Sequence, residues 1–132
     1  MILVDTSAWI EFLRDTASPV CARVDGLLGD EIATCHPVRM EVLAGARDEG
    51  HLDGLRRLLA RAAVVETVPA DYEDAAALYR TCRRSGETVR RMIDCLIAAT
   101  AIRGDLTVLH ADSDFDLLAR HTPLRVETAP EP

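Results

Sequence analysis

Five carboxylates in this sequence sit where an acid can do chemistry. Asp94 stands in the run MIDCLIAATAI (92–102), whose other ten positions are apolar, small or a single threonine. An isolated ionised carboxylate in an apolar medium costs on the order of tens of kcal/mol. Such a group caps a helix, pairs with a cation, binds a metal or stays protonated. Asp5 closes the apolar run ILVD, Asp112 and Asp114 follow TVLH, and Glu41 lies between Met40 and Val42. Brought together, four or five acids repel strongly, and the chain has no lysine to neutralise them. Divalent cations between them would remove that repulsion. Oxygen-only ligands select a hard cation, Mg2+ or Mn2+, over zinc. A carboxylate-held metal with open coordination positions suits phosphodiester cleavage. One metal activates the attacking water, and a second, about 4 Å away, stabilises the leaving oxygen.

Each acid also has a bland use. Asp5 can N-cap the helix that follows it, and Glu41 can face solvent. Asp112 and Asp114 suit turn formation and capping, and Asp94 suits a helix N-terminus. What favours the metal reading is that all five abut apolar runs. Glu49, Asp53, Glu73 and Asp74 read instead as solvated faces.

The elements that must position these acids follow from the apolar patterning. Strands are expected at 2–5, 31–35, 64–68, 106–110 and 124–128. Between them run helices: 6–14 with Trp9, Ile10 and Leu13 at helical spacing, a second from Ser18-Pro19 to Gly29, and one near Pro37. Further helices cover 51–62, 71–86 and the segment from Arg90 to Gly104, and 112–121 reads as a turn into a short helix. Strands alternating with helices predict an α/β domain on a mainly parallel sheet with helices on both faces. In such sheets ligands bind beyond the carboxyl ends of the strands. Asp5, Asp112 and Asp114 are placed there, and the two helical acids can complete the walls.

The chain of 132 residues suits one domain with a single core, and its 48% hydrophobic, 28% charged composition is that of a soluble globular protein. No apolar stretch approaches the roughly 20 residues of a membrane span, and the N-terminus does not read as a signal peptide. A cytoplasmic protein without membrane contact is expected. Cys21, Cys35, Cys82 and Cys95 form no metal or redox motif and read as reduced, buried thiols. The net charge of −7 argues against nucleic acid, but all 15 basic residues are arginine. Arg80, Arg83, Arg84, Arg90 and Arg91 cluster before Asp94. Arginine suits bidentate phosphate contact, although a solvated basic face would look the same.

The segments MILVDTSAWIEFL, VRMEVLAGAR, MIDCLIAATAI and TVLHADSDFDLLA, in this order and spacing, resemble the four acidic blocks of PIN-domain ribonucleases. The similarity is greatest to VapC-type toxins of bacterial VapBC toxin–antitoxin pairs. The resemblance implies a three-layer α/β/α PIN domain over residues 1–128, with 129–132 a frayed tail. It implies a Mg2+-dependent endoribonuclease, with Mn2+ as a possible substitute, neutralised by a VapB-like antitoxin and homodimeric within that complex. Asp5 and Asp94 match the acids most often credited with the metal, Glu41 matches the second family acid, and the fourth block offers both Asp112 and Asp114. Thr6 and Ser7 match the hydroxyl residues that follow the first acid. Two rivals stand beside this reading: a PIN-like nuclease acting on DNA or structured nucleic acid, and a non-catalytic Mg2+-binding receiver-like module. The absence of lysine weighs against the receiver.

Overall fold

The computed structural model describes residues 1–29 and 31–127. The expected tail at 129–132, and the last residue of the strand expected at 124–128, lie outside them. The chain runs β1 (Ile2–Val4), α1 (Thr6–Leu13), α2 (Pro19–Leu27), β2 (Ile32–Thr34), α3 (His36–Ala44), α4 (Glu49–Leu59) and β3 (Ala63–Val64). It continues through α5 (Pro69–Arg84), α6 (Met92–Arg103), β4 (Thr107–Leu109), α7 (Ser113–His121) and β5 (Arg125–Glu127). The five strands form one parallel sheet in the order β3-β2-β1-β4-β5.

That order makes β1 the central strand. It pairs with β2 on one side, Leu3 beside Ala33, and with β4 on the other, Leu3 beside Val108. The chain moves outward from β1 through β2 to β3, then crosses to β4 and moves outward again to β5. Right-handed crossovers then place α1–α4 on one face and α5–α7 on the other. The helices pack accordingly, α1 on α2 and α3, α5 on α6 and α7. Strands sandwiched in this way are apolar on both faces. Leu3, Val4, Val108 and Leu109 are fully buried, with Trp9 and Phe115 the largest side chains in the core.

Several elements, α4 and α6 among them, differ at their ends from the pattern read in the sequence, and two of the differences are instructive. The strand expected at 64–68 is only two residues long, although the Val65 N–H still reaches the Thr34 carbonyl at 2.8 Å. The helix expected from 71 begins at Pro69, because proline at the first helical position gives up a donor that has no partner there anyway. The α5 helix stops at Gly86, whose φ of +89° only glycine adopts without strain. No helix among the described residues is long and apolar enough to cross a membrane.

Candidate active site

The strand order reverses between β1 and β4, so the crevice beyond their carboxyl ends is the topological switch point of the sheet. Asp5 follows β1 directly, and His110 to Asp112 follow β4. The Asp5 N–H donates to the Leu109 carbonyl at 3.0 Å, which fixes the two loops side by side. Three helices begin at this crevice. Asp5 N-caps α1 and Asp112 N-caps α7, while Asp94 lies in the first turn of α6. The bland capping uses are therefore met as well, each cap contributing about 1 kcal/mol. They do not account for the burial of these acids.

Asp5 and Asp94 are fully buried, and Asp114 nearly so. One carboxylate oxygen each of Asp94, Asp112 and Asp114 lies within 4.8 Å of the others. Asp5 and Glu41 stand outside this triad and border it. Burial pushes the Asp94 carboxyl up to about 7; Arg91 opposes the rise, and the charges of Asp5 and Asp112 add to it. Burial also raises Asp5, against hydrogen bonds from Ser7 and with the Glu41 charge adding to the effect. The donor set and its gaps fit a hard divalent cation. Asp5 Oδ1 and Asp94 Oδ2 are buried with no hydrogen-bond partner, and every candidate ligand is a carboxylate oxygen.

Hydroxyls hold the acids from behind. The Ser7 N–H and Oγ both donate to Asp5 Oδ2, at 3.0 and 2.6 Å, and Thr6 Oγ1 donates to Glu41 Oε1 at 2.9 Å. His110 is buried against the Phe115 ring, its Nδ1 accepting the Asp112 N–H at 3.1 Å. Its role is to shape the β4–α7 turn.

The five arginines expected as a flank divide into two groups. Arg90 and Arg91 enter the acidic crevice itself. Arg90 donates from Nε to Asp114 at 3.1 Å and from Nη2 to Asp112 at 2.9 Å, and its main-chain N–H also holds Asp114. Arg91 donates to Glu41 at 3.2 Å and to Asp94 at 3.1 Å. The repulsion among the acids is thus already offset in part by two guanidiniums, which the lack of lysine had concealed. Arg80, Arg83 and Arg84 lie along the last turns of α5, Arg83 against the Tyr79 ring and Arg84 bonded to Thr81. No hydrogen bond or ion pair joins these three to the acids among the described residues.

A fourth buried acid, beside Asp5, Asp94 and Asp114, escaped the sequence reading. Asp71 is fully buried and bonded to Arg103 through both oxygens, at 2.8 and 3.1 Å, and to Thr100. It also accepts the Val68 N–H, closing the start of α5. Arg103 holds its carboxyl below the usual range. This acid is fully partnered and ties α5 to α6 away from the crevice. The four cysteines are free and buried, with burial pushing Cys35 up to about 11 and Cys95 to about 12, so neither is a nucleophile.

The PIN domain family model matches residues 2–121. Ribonuclease VapC11 of Mycobacterium tuberculosis is 46% identical over 129 residues, covering 95% of this chain and 96% of that protein. Ribonuclease VapC51 of the same organism is 32% identical over 122 residues, covering 91% and 86%. A toxin–antitoxin complex from Klebsiella pneumoniae contains a chain that matches all of this one with a TM-score of 0.78 at 20% identity, over the full length of both. FitAcB from Neisseria gonorrhoeae matches with a TM-score of 0.66 at 26% identity over 96% of each chain. The chain belongs to the PIN-domain family, among the VapC ribonucleases.

Proposed function

We propose that this chain is the toxin of a toxin–antitoxin pair, a metal-dependent endoribonuclease whose cation pocket is formed by Asp5, Glu41, Asp94, Asp112 and Asp114. The observation that carries the reading is the pair of buried, partnerless oxygens, Asp5 Oδ1 and Asp94 Oδ2, beside a triad of carboxylates at the switch point of the sheet. Two such oxygens are costly to leave unsatisfied in a folded chain. Held by these acids, Mg2+, or Mn2+ in its place, would polarise a water for attack and supply positive charge against the scissile phosphate.

The protein's own part is positioning. Ser7 fixes Asp5, Thr6 fixes Glu41, and the α6 N-terminus presents Asp94. The Ser7 hydroxyl is held between Asp5 and the Ala111 N–H, so it positions the acid and is not turned out as a nucleophile. His110 is turned into the core and the cysteines are buried. Of the five arginines read as a flank, Arg80, Arg83 and Arg84, exposed on the last turns of α5, are the ones not engaged with the acids and so left for the RNA backbone. The antitoxin reading draws on the kinship with VapC ribonucleases and on an open groove of about 300 Å³ beside Glu41. Ile10, Leu13, Val42 and Leu55 line it with apolar surface. A VapB-like partner seated there would reach the crevice.

The test is cleavage of total cellular RNA by the purified chain with Mg2+, with chelator, and with Asp94→Asn. The expected result is metal-dependent cutting that leaves 5′-phosphate ends and is lost in the variant. Equal behaviour of wild type and variant would remove Asp94 from the site. Cutting of single-stranded DNA in preference to RNA would favour the DNA-directed rival.

A further inference from the structure

The Arg91 guanidinium lies among acids from three elements. Its Nη1 donates to Glu41 of α3 at 3.2 Å, its Nη2 to Asp94 of α6 at 3.1 Å, and the same Nη2 is 3.9 Å from Asp112 Oδ2 at the start of α7. Two of these three acids belong to the tight carboxylate triad, so one delocalised positive charge stands against acids that a divalent cation would neutralise. The fit is incomplete. Arg91 reaches Asp94 through Oδ1 alone and leaves Oδ2 buried without a partner.

Arg91 is also free to leave. It is the N-cap residue of α6, with backbone fixed by the helix start, but its side chain is 48% exposed at the crevice mouth. Arg90 differs, because its main-chain N–H and its side chain both hold Asp114, which makes it a strut. A dication placed on Asp94 and Asp112 would sit within a few ångströms of the Arg91 guanidinium, and like charges at that range repel strongly in a low-dielectric crevice. The long, flexible stem lets the guanidinium swing into water without moving the backbone.

We propose that Arg91 is an exchangeable internal cation, bridging Glu41 and Asp94 in the metal-free chain and displaced from them when the divalent cation binds. The contact is autoinhibitory, since metal loading must first break it. The bridge depends on the planar fork of arginine, which a lysine ammonium cannot reproduce across two carboxylates. The inference rests on the metal-site reading above, and the experiment separates the two.

Calorimetric Mg2+ titrations of wild type, Arg91→Gln and Arg91→Lys at one ionic strength provide the test. Side-chain Nε–Hε resonances of wild type, followed by NMR through the same titration, need no variant to fold. Expected are Mg2+ binding to Arg91→Gln about tenfold or more tighter than to wild type, and Arg91→Lys tighter than wild type as well. The Arg91 Nε–Hε signal should shift in step with the Asp94 amide. Equal affinities in all three chains, or an Arg91 signal unmoved while the Asp94 amide titrates, overturn the exchange and leave the metal site standing. Arg91→Lys matching wild type while Arg91→Gln binds tighter also overturns it, because charge alone would then explain the effect. Absence of Mg2+ binding in every chain removes the metal site and the exchange together.

Discussion

Ser7 holds Asp5 twice, by its main-chain N–H at 3.0 Å and by its hydroxyl at 2.6 Å. The same hydroxyl accepts the Ala111 N–H at 2.9 Å. One oxygen therefore stitches the loop after β1 to the loop after β4 and turns Asp5 so that Oδ1 is the atom left over. Ser7→Ala removes both side-chain bonds, while Asp5 Oδ2 keeps the main-chain N–H and the exposed Ala111 amide can turn to water. The expected loss is about 0.5–1.5 kcal/mol of stability, as for an ordinary hydrogen bond, together with a weaker response to Mg2+. Thermal melts with and without the metal check both. A variant with wild-type melting and wild-type metal response would place the hydroxyl outside the site's support.

The raised carboxyl of Asp94 sets a direction for pH. Between the ordinary value of 3.8 and about 7, the folded chain keeps a proton on Asp94 that the unfolded chain has released. Stability from this group is therefore present at low pH and lost as pH rises through about 7. Asp5 is raised too and acts in the same sense. Asp71, held below its ordinary value, contributes the opposite way: its stabilisation is present above the ordinary 3.8 and lost as pH falls below it. In chelator, Asp94→Asn should flatten the fall in melting temperature between pH 5 and 8, and melt roughly 3–6 °C above wild type at pH 7.5. With Mg2+ the order should reverse, because only wild type gains from the metal. An identical pH slope in the two chains would refute the assignment of that slope to Asp94.

Much of this site could be read in the sequence, for a physical reason. A short buried strand must be apolar, and in a parallel sheet its carboxyl end faces a crevice, so ILVD and TVLHAD announce their acids. Asp94 was conspicuous for the same reason, as a charge within an apolar helix. Arg90 and Arg91 were read as a flank, but their pairing with the acids was not legible. Arg90 and Arg91 sit beside each other in a polar stretch, and only the start of α6 turns both side chains back into the crevice. Asp71 was hidden differently. It opens an acidic helix like any solvated carboxylate, and its partner Arg103 is 32 residues away. The two-residue β3 was over-read because an apolar run does not show where an edge strand stops pairing.

Asp71 is the control for the acids of the crevice. Its side chain is fully buried, both oxygens bind Arg103, and Arg103 also reaches the Glu66 carbonyl. Removing one partner of such a pair leaves the other uncompensated and costs about 3–5 kcal/mol when both are buried. Arg103 is 38% exposed, so about 2–3 kcal/mol is expected for Asp71→Ala after allowance for solvent screening. Denaturant unfolding should show that loss, and Mg2+ affinity should stay within a factor of two or so of wild type. Loss of metal binding without loss of stability would make Asp71 part of the site.

Asp112 and Asp114, the two acids of the fourth block, are anchored to different degrees. Asp114 Oδ2 accepts both the main-chain N–H and the Nε of Arg90, each at 3.1 Å, which pins the segment before α6 onto α7. Asp112 uses Oδ1 for the Asp114 N–H and Arg90 Nη2, while its Oδ2 has only Arg91 at 3.9 Å. Each acid thus keeps one oxygen outside these bonds, and we infer that Asp112, which the Arg90 main chain does not hold, is the freer of the two to turn toward a cation. Asparagine is as good an N-cap as aspartate, so Asp112→Asn should melt within about 1 kcal/mol of wild type yet bind Mg2+ about tenfold or more weakly. Asp114→Asn weakens a charge-assisted anchor and should lose about 1–2 kcal/mol of stability, with a smaller drop in affinity. Paired calorimetry and thermal melts on the two variants measure this directly. The reverse ranking would make Asp114 the metal neighbour and Asp112 no more than the cap of α7.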